Sequence, residues 1–111
     1  MTDHYGAIQT ALLAIPAIAS VTRGQPDRDA ALPCVAYALQ DGRERSAYDD
    51  AAYLRRSVYA LRLFGGDMAA LDALAETIDE SLTALGFRRV FAADSPDDRI
   101  KQKTLRYEIM D

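Results

Sequence analysis

The chain is poor in the residues that form covalent and metal cross-links. Its 111 residues include one cysteine, Cys34, one histidine, His4, and no tryptophan. A single cysteine excludes a disulfide within the chain, and one histidine with one cysteine excludes a zinc site built from those two residue types. Stability must therefore come from a hydrophobic core, which a chain of this length can form as one domain.

Long hydrophobic runs and an excess of basic charge are also missing. The apolar stretch from Ala11 to Ala19 is interrupted by Pro16 and is shorter than the roughly 18 residues of a membrane span. No basic segment opens the chain, so we expect neither a signal peptide nor a membrane partner, and the default compartment is the cytosol. The net charge of −4 argues against a general nucleic-acid binder, which needs a basic surface to displace counterions.

The hydrophobic periodicity predicts the element order α, β, β, β, α, β, β. The first helix starts near Tyr5 and is ended by Pro16, and Asp67 and Gly86 bracket the second helix. Strands are predicted over residues 18–23, 34–40, 53–64, 87–93 and 100–110. The polar segment 41–52 is either a loop or the extended tip of a hairpin. We therefore predict an α+β fold, with an antiparallel-dominated sheet of about four to five strands and two helices packed on one face.

Charged residues are distributed unevenly along the sequence. Residues 65–86 carry a net charge of −5, all from the second helix and its cap, whereas residues 41–64 sum to +1. The two long strands hold the basic residues Arg55, Arg56, Arg62, Lys101, Lys103 and Arg106. An acidic helix and basic strands on one molecule would suit head-to-tail self-association. The alternative is that both are solvated faces without a partner.

Candidate catalytic residues lack the neighbours that chemistry requires. His4 lies in the terminal turn, where we expect an exposed residue without a nucleophile or an orienting acid. Cys34 follows Pro33 at the start of a strand, a position typical of a small buried hydrophobic residue.

The clustered carboxylates and paired glycines do not indicate a metal site or a phosphate site either. The clusters Asp49-Asp50 and Asp94/Asp97/Asp98 do not have the spacing of a calcium loop, and Gly65-Gly66 lacks the lysine and hydroxyl residue of a phosphate loop. We therefore expect no catalytic residue, no metal and no cofactor, and a protein that is not an enzyme.

The order of features is similar to that of the small tail-completion proteins of long-tailed bacteriophages, also described as tail terminator, neck or minor capsid proteins. The matching segments are Leu32-Pro33-Cys34-Val35-Ala36-Tyr37, the strand Tyr59-Ala60-Leu61-Arg62-Leu63-Phe64, the acidic turn Gly65-Gly66-Asp67, the step Leu85-Gly86-Phe87 and the closing strand Thr104-Leu105-Arg106-Tyr107-Glu108-Ile109. The insertion from Tyr48 to Arg56 resembles a family segment as well. Cys34 stands where the family usually has an aromatic residue.

This resemblance implies a structural virion protein. Such proteins form a ring, often a hexamer, on the last ring of the tail tube, stop its growth and provide the docking face for the head–tail connector or head-completion protein. DNA would only pass through the lumen, and the ring would be assembled in the host bacterial cytoplasm. The alternatives are a head-completion or connector protein of the same neck, a small ligand-binding α+β domain and, last, a hydrolase acting through Cys34.

A ring requires two unlike lateral surfaces that fit each other. We predict that one surface lies at the tip of the long hairpin and that the acidic helix is its partner. The tip residues are Arg43, Arg45, Tyr48, Tyr53, Arg55 and Arg56, and the helix residues are Asp72, Glu76 and Asp79.

Overall fold

A computed structural model of the chain describes residues 4–25, 31–44, 55–95 and 100–110. Its elements are α1 (Tyr5–Leu13), β1 (Ser20–Arg23), β2 (Cys34–Glu44), β3 (Arg55–Gly65), α2 (Met68–Ala84), β4 (Arg88–Ser95) and β5 (Lys101–Met110). The predicted element order is confirmed.

The five strands form one sheet in the order β1-β2-β3-β5-β4. The edge strand β1 runs parallel to β2, and the other three strand pairs are antiparallel. The register shifts between Leu39 and Asp41 on β2 and between Arg89 and Phe91 on β4, so each of these strands contains a β-bulge. Both helices pack on one face of the sheet, and the predicted α+β class is confirmed.

The core lies between the helices and that face. Strand alternation turns every second side chain toward the helices, which present apolar stripes at helical spacing. Fully buried members from both layers include Ile8, Leu12, Val35, Leu61, Leu63, Ile78, Leu82 and Leu105. Two tyrosine hydroxyls link α1 to β2 by hydrogen bonds. Tyr5 accepts one from the Leu39 amide at 2.7 Å, and Tyr37 donates one to the Gln9 side chain at 2.6 Å.

Helix α2 is closed at both ends by the residues that the sequence indicates. The Asp67 carboxylate accepts a hydrogen bond from the Ala69 amide at 3.2 Å, as an N-cap does. At the other end Gly86 adopts φ +100°, and the Phe87 amide donates to the Leu82 carbonyl at 3.0 Å. This is a Schellman motif, which favours glycine because other residues are strained at positive φ.

Some boundaries differ from the prediction. Helix α1 ends at Leu13, before Pro16. The sequence predicts Leu85 in the apolar stripe of the second helix, but it lies beyond the end of α2 and is 47% exposed. Strand β2 continues to Glu44, which is paired with Arg55, so residues 41–44 belong to an extended hairpin arm and not to a loop. None of the described helices has both the length and the apolar character needed to cross a membrane.

Candidate functional site

The sheet has two unlike faces, and the contrast between them defines the candidate site. One face carries the helices. The other, called here the open face, carries no helix among the described residues, but it is not uniformly exposed: Cys34, Ala36, Val58 and Glu108 on it are buried, and its exposed described side chains are those of β4. Its described side chains come from alternate positions of all five strands: Ser20, Thr22, Cys34, Ala36, Ala38, Val58, Ala60, Arg62, Phe64, Arg88, Phe91, Ala93, Ser95, Gln102, Thr104, Arg106 and Glu108.

On the helix side, Lys103 joins three elements. Its ammonium group lies 3.0 Å from the Asp72 carboxylate on α2 and 2.9 Å from that of Asp94 on β4. Only 14% of the lysine side chain is exposed, so its aliphatic part is packed while its charge is compensated. The hydrogen bond to Asp94 is the main reason that the pKa of Lys103 lies above its usual value.

A second polar contact on the helix side involves Tyr107. This side chain is fully buried, and its hydroxyl donates a hydrogen bond to the Asp79 carboxylate on α2 at 3.0 Å. The Arg89 guanidinium lies 3.9 Å from the same carboxylate. Burial, followed by the contact with Asp79, raises the pKa of Tyr107 far above the ordinary tyrosine value. The inward side of the acidic helix is therefore compensated within the chain.

The outward side of α2 is different. Glu76 and Glu80 are exposed, and the surface around them consists of small residues, Ala69, Ala73 and Thr77. No basic group of the described residues forms an ion pair with either glutamate. These five residues are called here the outer α2 face. Its acidic charge remains available to another molecule.

The open face is basic at its centre. Arg106 on β5 stacks on the exposed Phe91 of β4, with its guanidinium carbon 4.2 Å from the ring centroid. The Nε atom of Arg106 is buried and has no hydrogen-bond partner among the described residues. A buried donor without a partner is uncommon in proteins, because leaving it unpaired costs about 1–3 kcal/mol.

Arg62 on β3 is the second cation at this centre. Its guanidinium donates to the side-chain oxygen of Gln25 at 3.1 Å and lies 5.8 Å from the Phe64 ring. Among the described residues, neither Arg62 nor Arg106 pairs with a carboxylate. The other two charges among the described side chains of this face, Arg88 and Glu108, pair with each other, so the described part of the open face carries a net positive charge.

The far edge of the sheet is also exposed. Every residue of β4 is exposed, and the large apolar side chains Val90 and Phe91 are 40% and 39% exposed. Monomeric proteins usually shield such edges or interrupt them with charges and bulges. In β4 the bulge at Val90 and the charged ends Arg88, Arg89 and Asp94 make regular pairing with another strand unfavourable.

The predicted interface residues lie in several places. Arg43 and Arg56 are cross-strand partners on the β2–β3 hairpin, next to the Glu44–Arg55 pair. Arg45, Tyr48 and Tyr53 lie outside the described residues. Of the helix residues, Glu76 belongs to the outer α2 face, whereas Asp72 and Asp79 contact Lys103 and Tyr107 of their own chain.

His4 is not the exposed residue that we expected. It is half-buried at the start of α1, and its ring meets Tyr59 and Phe87 edge-on at centroid distances of 6.2 and 5.7 Å. The sequence could not show this, because the contact depends on α1 lying beside β3 and the end of α2.

Cys34 is buried as predicted, and burial raises the pKa of its thiol. A raised thiol pKa lowers the thiolate fraction at neutral pH, so the environment does not activate a nucleophile. Asp49, Asp50, Asp97 and Asp98 lie outside the described residues. Within the described part of the chain, no three His, Cys, Asp or Glu residues converge as metal ligands would.

A small cleft lies beside the start of α2. Its volume is about 210 Å³, and its walls are formed by Leu32, Pro33, Gly65, Gly66, Asp67, Ala70 and Leu71. Ligand pockets usually measure about 300–1,000 Å³ and contain several convergent polar groups. This cleft is smaller, and Asp67, its charged residue, already caps α2.

Sequence reasoning grouped Lys103 with Arg106 as one basic region and missed that they face opposite sides of the sheet. The signal was present, since residues an odd number of positions apart on a strand point to opposite faces. The stacking of Arg106 on Phe91 could not be predicted from the sequence, because it requires the pairing of β4 with β5 and the bulge at Val90.

No protein-family model and no curated protein sequence matches this chain.

Proposed function

We propose that the protein is a structural component of a phage tail that forms a ring on the end of the tail tube and terminates its growth. The proposal begins from the sequence resemblance to tail-completion proteins. The observation that carries it further is the β4 edge, an eight-residue strand exposed on both faces and bearing accessible Val90 and Phe91. A surface of this kind suits contact with other protein chains better than binding of a small molecule.

The distribution of charge supports the same proposal. A closed ring needs a heterologous contact between two different surfaces of the same chain. The open face and the outer α2 face are different surfaces with opposite charge, and they lie on opposite sides of the layered domain. In the ring the tail tube protein and the head–tail connector would occupy the two remaining sides, above and below the lateral contacts.

Electron microscopy of tube ends tests this function. Tubes assembled from the tail-tube protein of the same genome are mixed with the purified protein, and both tube ends are imaged by negative stain. We expect a ring-shaped cap at one end and tubes that no longer elongate when more tube protein is added. Uncapped tubes that continue to elongate would contradict the proposal. A protein that instead binds the head side of the neck would be a connector.

A further inference from the structure

We propose that the open face is a self-association surface that receives the outer α2 face of a second copy, with Arg62 and Arg106 pairing to Glu76 and Glu80. The proposal deepens the proposed function, because it names the two surfaces that would meet in the ring. The contact itself can be tested in solution, without tail tubes, so the two proposals can fail separately.

The first argument is charge complementarity. Arg62 and Arg106 have no carboxylate partner among the described residues, and Glu76 and Glu80 have no basic partner there. All other described charges near them are compensated: Lys103 by Asp72 and Asp94, and Arg88 by Glu108. Among the described side chains around these two surfaces, the charges without an ion-pair partner are thus one basic pair on the open face and one acidic pair on the outer α2 face.

The second argument is the buried Nε atom of Arg106. Stacking on Phe91 fixes the plane of the guanidinium and keeps it on the open face. An arginine held in this way presents a planar set of donors to which a carboxylate can bind in a bidentate manner. A glutamate from a second copy would give the guanidinium a carboxylate partner, which no described residue of its own chain provides.

The third argument is spacing. Arg106 pairs across the strands with Ala60, so Arg62 lies two residues along β3 on the same face, about 7–8 Å from Arg106. Glu76 and Glu80 are four residues apart on a helix, which places them about 6 Å from each other. The long arginine side chains can accommodate this difference.

The fourth argument is shape. Small residues surround both charge pairs, with Ala38 and Ala60 half-buried on the open face and Ala69 and Ala73 exposed on the outer α2 face. A helix with alanines on its outer side can approach the sheet closely, which would also bury Phe64 and Phe91. Close approach excludes water and strengthens the ion pairs.

Charge-reversal variants test the contact by sedimentation velocity over a range of protein concentrations. The sheet variant is R62E/R106E and the helix variant is E76K/E80K. We expect the wild type to self-associate, and each variant alone to associate at least about tenfold more weakly, because like charges then face each other. Mixing the two variants in equal amounts should restore association, since each supplies the surface complementary to the other.

A double reversal at the hairpin tip, R55E/R56E, compares this contact with the one predicted from the sequence at the strand tip. Arg56 holds a register position on β3 an even number of residues from Val58 and Arg62, so we expect some weakening of association, but less than in R62E/R106E. A larger loss in R55E/R56E than in R62E/R106E would assign the contact to the strand tip. Circular dichroism and thermal unfolding check that every variant folds, and R62E alone replaces the sheet variant if R106E prevents folding. Raising the salt concentration from about 0.1 to 1 M should weaken wild-type association, because the Debye length falls from about 10 to 3 Å.

Several outcomes would overturn the proposal. The proposal is contradicted if the wild type stays monomeric at the highest attainable concentration. It is also contradicted if the sheet variant associates normally, or if the mixture of the two variants does not regain association. Binding of duplex DNA that depends on Arg62 and Arg106, without self-association, would reassign the open face to nucleic acid. Self-association without capped tubes would retain this contact and contradict the tail function alone.

Discussion

Lys103 and Arg106 lie three residues apart on the same strand, yet among the described residues only Lys103 has carboxylate partners. Lys103 faces the helices, and two carboxylates of its own chain bind its ammonium group. Arg106 faces the open side, stacks on Phe91 and keeps a buried Nε atom without a partner. On the helix side, the charge of Lys103 is therefore compensated within one chain. On the open side, Arg106 and the apolar surface beside it could contact a second chain.

The acidic residues of α2 also differ in whether their own chain provides a partner, depending on which side of the helix they occupy. Asp72 and Asp79 point toward the sheet and contact Lys103 and Tyr107, while Glu76 and Glu80 are exposed on the outside. The net charge of the helix alone does not reveal this difference. If the account is correct, substitutions on the helix side should change stability, and substitutions on the open face should change association.

The largest effect is expected where the helix layer loses core volume. Ile78 on α2 is fully buried, and replacing it with alanine should lower the free energy of unfolding by about 2–5 kcal/mol, because apolar contacts are lost and a cavity remains. Denaturant unfolding measures the change. Leu85→Ala is the control, since this exposed leucine should contribute less than about 1 kcal/mol. Equal losses in the two variants would contradict the described packing of α2.

Removing the Tyr107 hydroxyl should have an intermediate effect that depends on pH. The variant Tyr107→Phe leaves the Asp79 carboxylate without this donor and should cost about 1–2 kcal/mol at pH 7. Because the pKa of Tyr107 is raised in the folded protein, its stabilising contribution is complete below the unfolded pKa of about 10 and is lost as the pH rises above that value.

Unfolding free energies at pH 7, 10 and 11 test this linkage. The stability of Tyr107→Phe should fall less steeply above pH 10 than that of the wild type. Tyr5→Phe is measured beside it as a matched loss of a tyrosine hydroxyl, since it removes the hydroxyl that accepts a hydrogen bond from the Leu39 amide. If Tyr107→Phe and the wild type had the same slope, the hydroxyl could not be held by Asp79 as described.

A smaller loss, about 1 kcal/mol, is expected for Lys103→Met. Methionine keeps most of the packed aliphatic chain but removes the charge between Asp72 and Asp94, both of which are partly exposed, so solvent weakens the ion pairs. The raised pKa of Lys103 has the same sign of linkage as Tyr107: its contribution is present below about pH 10 and disappears at higher pH. Glu76→Gln on the outer α2 face is the control and should change stability by less than about 0.5 kcal/mol.

The smallest change in stability is expected for Arg106→Gln. Its guanidinium has no carboxylate partner among the described residues but stacks on Phe91, so replacing it should cost no more than the roughly 0.5–1 kcal/mol of an exposed cation–π contact. The same variant should weaken self-association, which Lys103→Met should leave unchanged. A loss of stability from Arg106→Gln larger than that from Lys103→Met would reverse the assignment of the two faces.

The fold was largely accessible from the sequence because its signals are local. Asp67 and Gly86 mark the ends of α2, and alternation on β3 separates Leu61 and Leu63 from Arg62. The exposure of Leu85 and the partial burial of His4 could not be predicted from the sequence, because the first depends on where α2 ends and the second on how the start of α1 packs against Tyr59 and Phe87. The division of charge between Lys103 and Arg106 could have been derived from their odd spacing, but their partners required the order β3-β5-β4.

Cross-linking between copies tests the central claim, that the open face of one chain meets the outer α2 face of another. Ala93→Cys on the open face and Ala73→Cys on α2 are placed separately in a Cys34→Ala background, mixed, and oxidised mildly. Disulfides form only where the two Cα atoms come within about 7 Å. The account predicts that this pair cross-links at least about tenfold faster than Ala93→Cys mixed with Leu13→Cys, whose site is exposed on α1. Equal rates for the two mixtures would contradict it.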